Sequence, residues 1–341
     1  MTVSEATEDF QFIFDSLKKT YSQEYPGEQY DPTVVIGDGA DAISAAAVSA
    51  FENHIRVHCW AHVIDNVDKH LVKVKDPDLR ETIRSDIVQL QLAKSEAEFE
   101  MASLLWLKKW ENIVDAQSFV QYFKKEYFEK LSGWYEGRAT GFPSTNNGLE
   151  ATNNVIKREC TLRERLPLGD FFTKIMDYVR GWSIALDPEG VNFVSVATKP
   201  TISLKLETAA YNWAKSNVFV RTEISKGLTK FYIQTGGNPK KLTPAEVQQY
   251  DRHMKNFSWK TFDSYIKWQS LLWKVVMESA DWENASCTCR NFQKEFICKH
   301  TLGVAIRTKL YNVRPQAKDV PIGQKRKRGR PKKCAKALLR K

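Results

Sequence analysis

The chain has 341 residues, 42% of them hydrophobic, and 51 Lys+Arg against 41 Asp+Glu give it a net charge of +10. Ten of the basic residues and none of the acidic ones lie between Lys325 and Lys341, so residues 1–324 carry 41 of each sign and are neutral as a whole. The composition excludes a chain disordered throughout, the six unevenly spaced cysteines exclude a secreted disulfide framework, and no run approaches the ~18 apolar residues that span a bilayer. Met1 to Asp9 is acidic and polar, unlike a signal peptide, so an intracellular, reducing location is expected. The length implies two or three compact units.

Phe10, Ile13, Phe14 and Leu17 recur at i, i+3, i+4 and i+7 and predict an amphipathic helix. Thr33-Val34-Val35-Ile36, closed by Gly37-Asp38-Gly39, reads as a buried strand and a tight turn. An alanine-rich helix is predicted over 41–51, a second strand over 55–59 and a further helix over 61–72. Strand, helix, strand, helix in this order predicts a parallel α/β sheet. From about Lys75 to Leu131 there is no strand signal. Phe99, Ala102, Trp106 and Trp110 mark one helix face there and Phe119, Tyr122, Phe123 and Tyr127 another, so about 75–140 reads as a helical insertion.

Thr145 is positioned to N-cap a helix after the loop Gly141-Phe142-Pro143. Phe171, Phe172, Ile175, Tyr178, Val179 and Trp182 predict a further, core-facing helix, and Cys160 is expected in a core. Pro188, Gly190 and Pro200 mark a boundary. The expected organisation is an α/β unit over 1–186, a helical connector over 187–255, a Trp-rich metal-binding unit over 256–312, and a linker with a basic tail over 313–341.

Cys287-Thr288-Cys289 and Cys298-Lys299-His300 form the pattern C-x-C-x8-C-x-H. Four soft N and S ligands in two close pairs suit tetrahedral Zn²⁺, and a set of four protein ligands leaves no open position, so the ion is expected to be structural. This segment resembles the SWIM zinc finger, which implies a small ββα unit that binds DNA or protein.

Upstream, Val35 to Ile43, then Cys59-Trp60-Ala61-His62, then Thr145 to Asn153 resemble the core of Mutator-like element (MULE) transposases. That resemblance implies an RNase H-like fold with an Asp/Asp/Glu triad. Asp38 matches the second acidic residue, Glu150 the third, and Cys59 and His62 the C-x-x-H between them. Asp38 would lie past the carboxyl end of a strand, where open α/β sheets place their sites. With a complete triad, such carboxylates would hold two Mg²⁺ ions. The bland alternatives are a turn residue at Asp38 and a solvated helix residue at Glu150, and for Cys59 and His62 a buried thiol and a hydrogen-bonded histidine.

In the family the first acidic residue stands on a strand that precedes the helix matched by Phe10–Leu17. A partial RNase H-like core is therefore expected, lacking one catalytic Asp and inactive alone, with strand 33–37 left as an exposed edge. Two other readings stay open: an active transposase from a longer gene product, and a domesticated transcription regulator.

The tail segment Arg328-Gly329-Arg330-Pro331-Lys332 resembles an AT-hook. Gly and Pro keep such a chain thin and extended, so that Arg328 and Arg330 can enter a narrow A·T minor groove while the remaining cations contact phosphates. The same run reads as a nuclear localisation signal, or simply as a solvated basic tail. DNA, possible protein partners through the finger, no membrane and a nuclear location are the corresponding expectations.

Overall fold

The structure is a computed structural model that describes residues 6–185, 200–235 and 241–318, apart from positions 217, 219, 226 and 279. The first unit follows the predicted order: α1 (Thr7–Glu24), β1 (Val34–Gly37), α2 (Asp41–Ala50), β2 (Ile55–His58) and α3 (Trp60–Leu71). The strands pair in parallel from Val34 opposite Ile55 to Gly37 opposite His58. Ala46, Ala47 and Ala50 are buried on α2, and their small side chains let α1 approach so that Phe14 meets Phe51 at 5.1 Å. Lys18 donates to the carbonyl of Ala50 at 2.7 Å, capping the last turn of α2. Among the described residues this sheet has two strands, so β1 and β2 are each paired on one side.

The helical insertion is α4 (Pro77–Leu90), α5 (Glu96–Trp110) and α6 (Gln117–Phe123), the last continued by a wider turn over Lys124–Lys130. Asp76 caps α4 through the N–H of Asp78, with Pro77 opening the helix, and Ser95 caps α5 through the N–H of Glu98. Its core holds Phe99, Trp106, Phe123, Tyr127 and Trp134, joined by Trp259, Phe262 and Tyr265 from around α11 (Phe262–Gln269). The N-terminal part of the expected 256–312 unit thus packs with the insertion rather than with the metal site.

Residues 187–255 depart from a helical connector. They contain α9 (Leu204–Lys215), β3 (Val220–Ser225), β4 (Leu228–Gln234) and α10 (Pro244–Asn256). With β5 (Leu272–Glu278) and β6 (Asp281–Cys287) the strands form one antiparallel sheet in the order β3-β4-β5-β6. The expected ββα finger, completed by α12 (Arg290–Glu295) and α13 (Lys299–Arg307), is therefore the end of a four-stranded sheet.

Three further expectations are corrected. α7 (Asn147–Glu159) starts after Asn146, so Thr145 is not its cap, and no residue of α7 is buried. The apolar face of α8 (Leu168–Ala185) is not in a core: Phe172, Met176, Val179 and Trp182 are each about half exposed. Periodicity identifies an apolar face, but only a neighbouring layer turns it into core. Cys160 is half-buried at the end of α7. Among the described residues, no helix is long and apolar enough to cross a membrane.

Candidate metal centre

β6 delivers Cys287 as its last residue, and the backbone then turns against β5. Thr288 donates its N–H to the carbonyl of Lys274 at 3.0 Å and accepts from the Lys274 N–H through Oγ1 at 2.9 Å. This lock places Cys287 and Cys289 on one side of the turn. Cys298 is the N-cap of α13, and its Sγ accepts from the N–H of Thr301 at 3.4 Å, at the positive end of the helix. One residue further on, His300 joins it from the first turn.

Cys287, Cys289, Cys298 and His300 are all buried, and their ligand atoms lie within 4.8 Å of one another. His300 Nδ1 is 3.9 Å from the sulfur of Cys287 and 3.8 Å from that of Cys298. Zn–S bonds of about 2.3 Å and Zn–N bonds of about 2.0 Å require S···N separations of roughly 3.5 Å in a tetrahedron, so the set fits zinc with small shifts. Among the described residues this is the group of three or more Cys, His, Asp or Glu that could hold an ion.

The protonation pattern agrees with that chemistry. Cys298 is held far below the usual thiol range by hydrogen bonds from Cys287 and Cys289. Cys287 is pushed far up by its hydrogen bonds with Cys289 and Cys298. Cys289, which its bond with Cys287 pulls down, is nevertheless pushed up to about 12 by its bond with Cys298 and by burial. Three sulfurs buried side by side oppose one another's ionisation, and a dication that displaces their protons lets all three ionise.

The surroundings extend well beyond the ligands. Trp213 of α9 stands edge-on to the His300 ring at 5.6 Å, and the Arg307 guanidinium lies 4.8 Å above it. Arg307 also donates to the carbonyls of Ala214, Ser216 and Val218 at 2.8–2.9 Å, capping the end of α9. Gly303 faces Trp213 so closely that a Cβ there would lie 2.2 Å from ring atom Cε3. At the other end of α9, fully buried Glu207 binds the N–H and guanidinium of Arg314 and the hydroxyl of Tyr311. Burial pushes its carboxyl up, but these donors outweigh it and hold Glu207 below its ordinary range. Trp213 and Arg307 were not singled out from sequence. A glycine inside the helix Leu302-Gly303-Val304 was the available signal, because it costs helix stability unless packing needs it.

A second cluster lies at the carboxyl ends of β1 and β2. A cavity of about 460 Å³ is lined by Asp38, His58, Cys59, His62, Asn66 and Glu126, among others. Asp38 Oδ1 accepts from the N–H of Ala40 at 3.0 Å, and its carbonyl accepts from Arg56. His62 Nε2 is 3.4 Å from Glu150 Oε1, so Glu150 reaches the cluster through His62. Cys59 is fully buried. His58 is lowered to about 4 by burial first and then by Arg56 and Arg138, and its Nδ1 accepts from the N–H of Gly133 at 3.2 Å. The predicted site residues of this unit are thus neighbours, but Asp38 and Glu150 are not part of a cation-binding group of three among the described residues. Arg328, Gly329, Arg330, Pro331, Lys332 and Cys334 lie outside the described residues.

Residues 275–309 match the SWIM zinc finger family. No curated protein matches the chain. A SWIM zinc finger, with a Cys₃His set that fits a structural Zn²⁺, therefore occupies residues 275–309 of this mixed α/β protein.

Proposed function

We propose that this is a zinc-stabilised DNA-binding protein of MULE-transposase origin, nuclear in location, in which the finger is a structural module and the tail makes the main DNA contact. The observation that carries the reading is the charge around the closed zinc site. Between Cys287 and Lys318 there are seven basic residues and one acidic residue, Glu295, in a body that is otherwise not basic. Arg307 and Arg314 serve structural roles, whereas Arg290, Lys299, Lys309 and Lys318 are exposed and lead towards the cations that begin at Lys325. Such a run neutralises phosphates without reading sequence, and the Arg-Gly-Arg-Pro segment adds a preference for a narrow A·T minor groove.

The transposon origin is supported by the order of Asp38, Cys59, His62 and Glu150 and by their convergence at the carboxyl ends of parallel strands. The described carboxylates have protein partners: Asp38 holds the turn through Ala40, and Glu150 pairs with His62. In this reading the protein acts by binding. Metal-dependent nicking that Asp38→Ala or Glu150→Ala abolished would overturn this part.

Binding to A·T-rich and G·C-rich duplexes, read by fluorescence anisotropy, tests the main proposal. A chain ending at Gln324 is expected to lose on the order of 10²-fold or more in affinity at low salt and to show a shallower salt dependence. Arg330→Ala is expected to remove the A·T preference. If the shortened chain binds as tightly as the whole, the tail is not the DNA contact. A tail-less chain excluded from nuclei would support the nuclear address, and an unchanged distribution would refute it.

A further inference from the structure

The finger rests on the turn between α4 and α5. Gln293 Nε2 donates to the carbonyl of Leu92 at 3.0 Å, and Lys294 pairs with Glu136 at 3.3 Å. From the other side Gly137 presses on the same turn, so closely that a Cβ there would lie 2.2 Å from the carbonyl carbon of Lys94. Held in this way, Lys94 sends its ammonium into the junction. Its Nζ donates to Gln269 Oε1 at 3.2 Å, and the amide of Gln269 donates in turn to Glu98, which also accepts from the Tyr265 hydroxyl. Lys94 and Cys287 line one small cavity of about 180 Å³, and the ammonium is within electrostatic range of both Cys287 and Cys289.

Three thiolates, a neutral imidazole and Zn²⁺ sum to one net negative charge. A buried charge of that kind needs a partner, and a half-buried lysine at the junction can supply one. Glu98, which also accepts from Gln269 and Tyr265, is the leading charge partner of Lys94, so the ammonium is shared between that carboxylate and the sulfurs. Lys274 is paired with Asp251 at 3.1 Å, and Arg290 and Lys299, next to the ligands in sequence, are exposed to solvent.

We propose that Lys94, contributed by the helical insertion, is the counter-cation of the zinc centre, so that zinc binding and seating of the finger on the helical body are one linked event. The sulfurs hold zinc more tightly because Lys94 offsets their charge, and by reciprocity zinc strengthens the hold of the finger on the turn at Lys94. The residues matched to the finger family thus lack one charged part of their own metal site.

Zinc affinity of the full-length protein, measured by competition with a chromophoric chelator, tests this. Lys94→Met is expected to weaken zinc about 10–100-fold, the usual effect of losing a partner beyond the ligands. Lys94→Arg, which keeps the charge, is expected to restore most of it. Lys294→Met removes a docking pair to the buried Glu136 but no partner of the sulfurs, so through the linkage it should weaken zinc clearly less than Lys94→Met does. Glu98→Gln frees Lys94 from its competitor and is expected to tighten zinc several-fold, which keeps the proposal testable if Lys94→Met fails to fold. Wild-type affinity in Lys94→Met, equal losses in Lys94→Met and Lys294→Met, or unchanged or weaker zinc binding in Glu98→Gln would each overturn it.

Discussion

Replacing Gly303 with alanine is a small change with a large expected effect. Helix propensity alone favours it by about 1 kcal/mol, because glycine inside a helix is entropically costly. Sterically, the new methyl would sit 2.2 Å from Trp213 Cε3 and 2.7 Å from Cζ3. Ordinary carbon contacts are about 3.5–4.0 Å, so the ring must retreat by more than an ångström. It has little freedom to do so, with Arg307 stacked above it at 4.8 Å and His300 against it at 5.6 Å. Overpacking of this kind costs about 1–3 kcal/mol, and disturbing the Arg307 stack adds about 0.5–2 kcal/mol. The net expectation is a loss of about 2 kcal/mol, or roughly 30-fold in the folding equilibrium of the finger. Zinc release to a chelator as a function of urea reports the finger by itself and avoids treating a multi-unit chain as two-state. In a Trp213→Leu background the same substitution should cost much less, and the difference measures the coupling. If Gly303→Ala holds zinc to equal or higher urea concentrations, then Trp213 does not pack on α13 as described, and α9 is not part of the finger.

Two further substitutions probe the zinc site and the α/β unit. Cys298→Ser removes both a ligand and the sulfur that caps α13. Zinc content by atomic absorption should fall to background and the fluorescence of Trp213 and Trp273 should shift to the red, whereas retained zinc with an unshifted spectrum would exclude Cys298 as a ligand. His58 has a folded pKa lowered to about 4 against 6.5 when unfolded, so the unfolded chain binds the extra proton between those values. Its contribution is complete above pH 6.5 and is lost as pH falls towards 4, by up to about 3 kcal/mol before solvent screening. His58→Gln should flatten the fall of urea midpoints from pH 7 to pH 4.5, and a slope identical to wild type would show that His58 is not the titrating group.

The parts of the fold that could be read in sequence are those whose signals are local. The run Val34-Val35-Ile36 before Gly37, the alanine helix and the aromatic faces of the insertion all appear where their patterns place them. So do the four zinc ligands, because their close spacing is itself the constraint on geometry. What was missed depends on partners remote in the chain. β3 reads Val220-Arg221-Thr222-Glu223-Ile224-Ser225, too polar to announce a strand, and becomes one by pairing with β4. The face of α8 looks like core in sequence, yet burial depends on a layer that no helix can encode alone. Trp213 and Gly303 are ninety positions apart, and their fit is visible only once α9 lies on α13. For the carboxylate cluster, sequence order brought Asp38 and Glu150 into view but could not show that His62 stands between Glu150 and the cavity.

The seating of α9 bears on how such a module can travel between genes. A recombination event that copied only the stretch from Val275 to Lys309 would leave behind Trp213, the carbonyls that hold Arg307 and the whole Glu207–Arg314 pair. It would also leave behind the turn on which Gln293 rests. The smallest heritable cassette that keeps the α9 contacts begins near Ile202 and ends near Lys318, more than three times the length of its recognisable signature, and it still lacks the turn at Leu92. Copies cut closer than that would lose these contacts even with all four ligands intact.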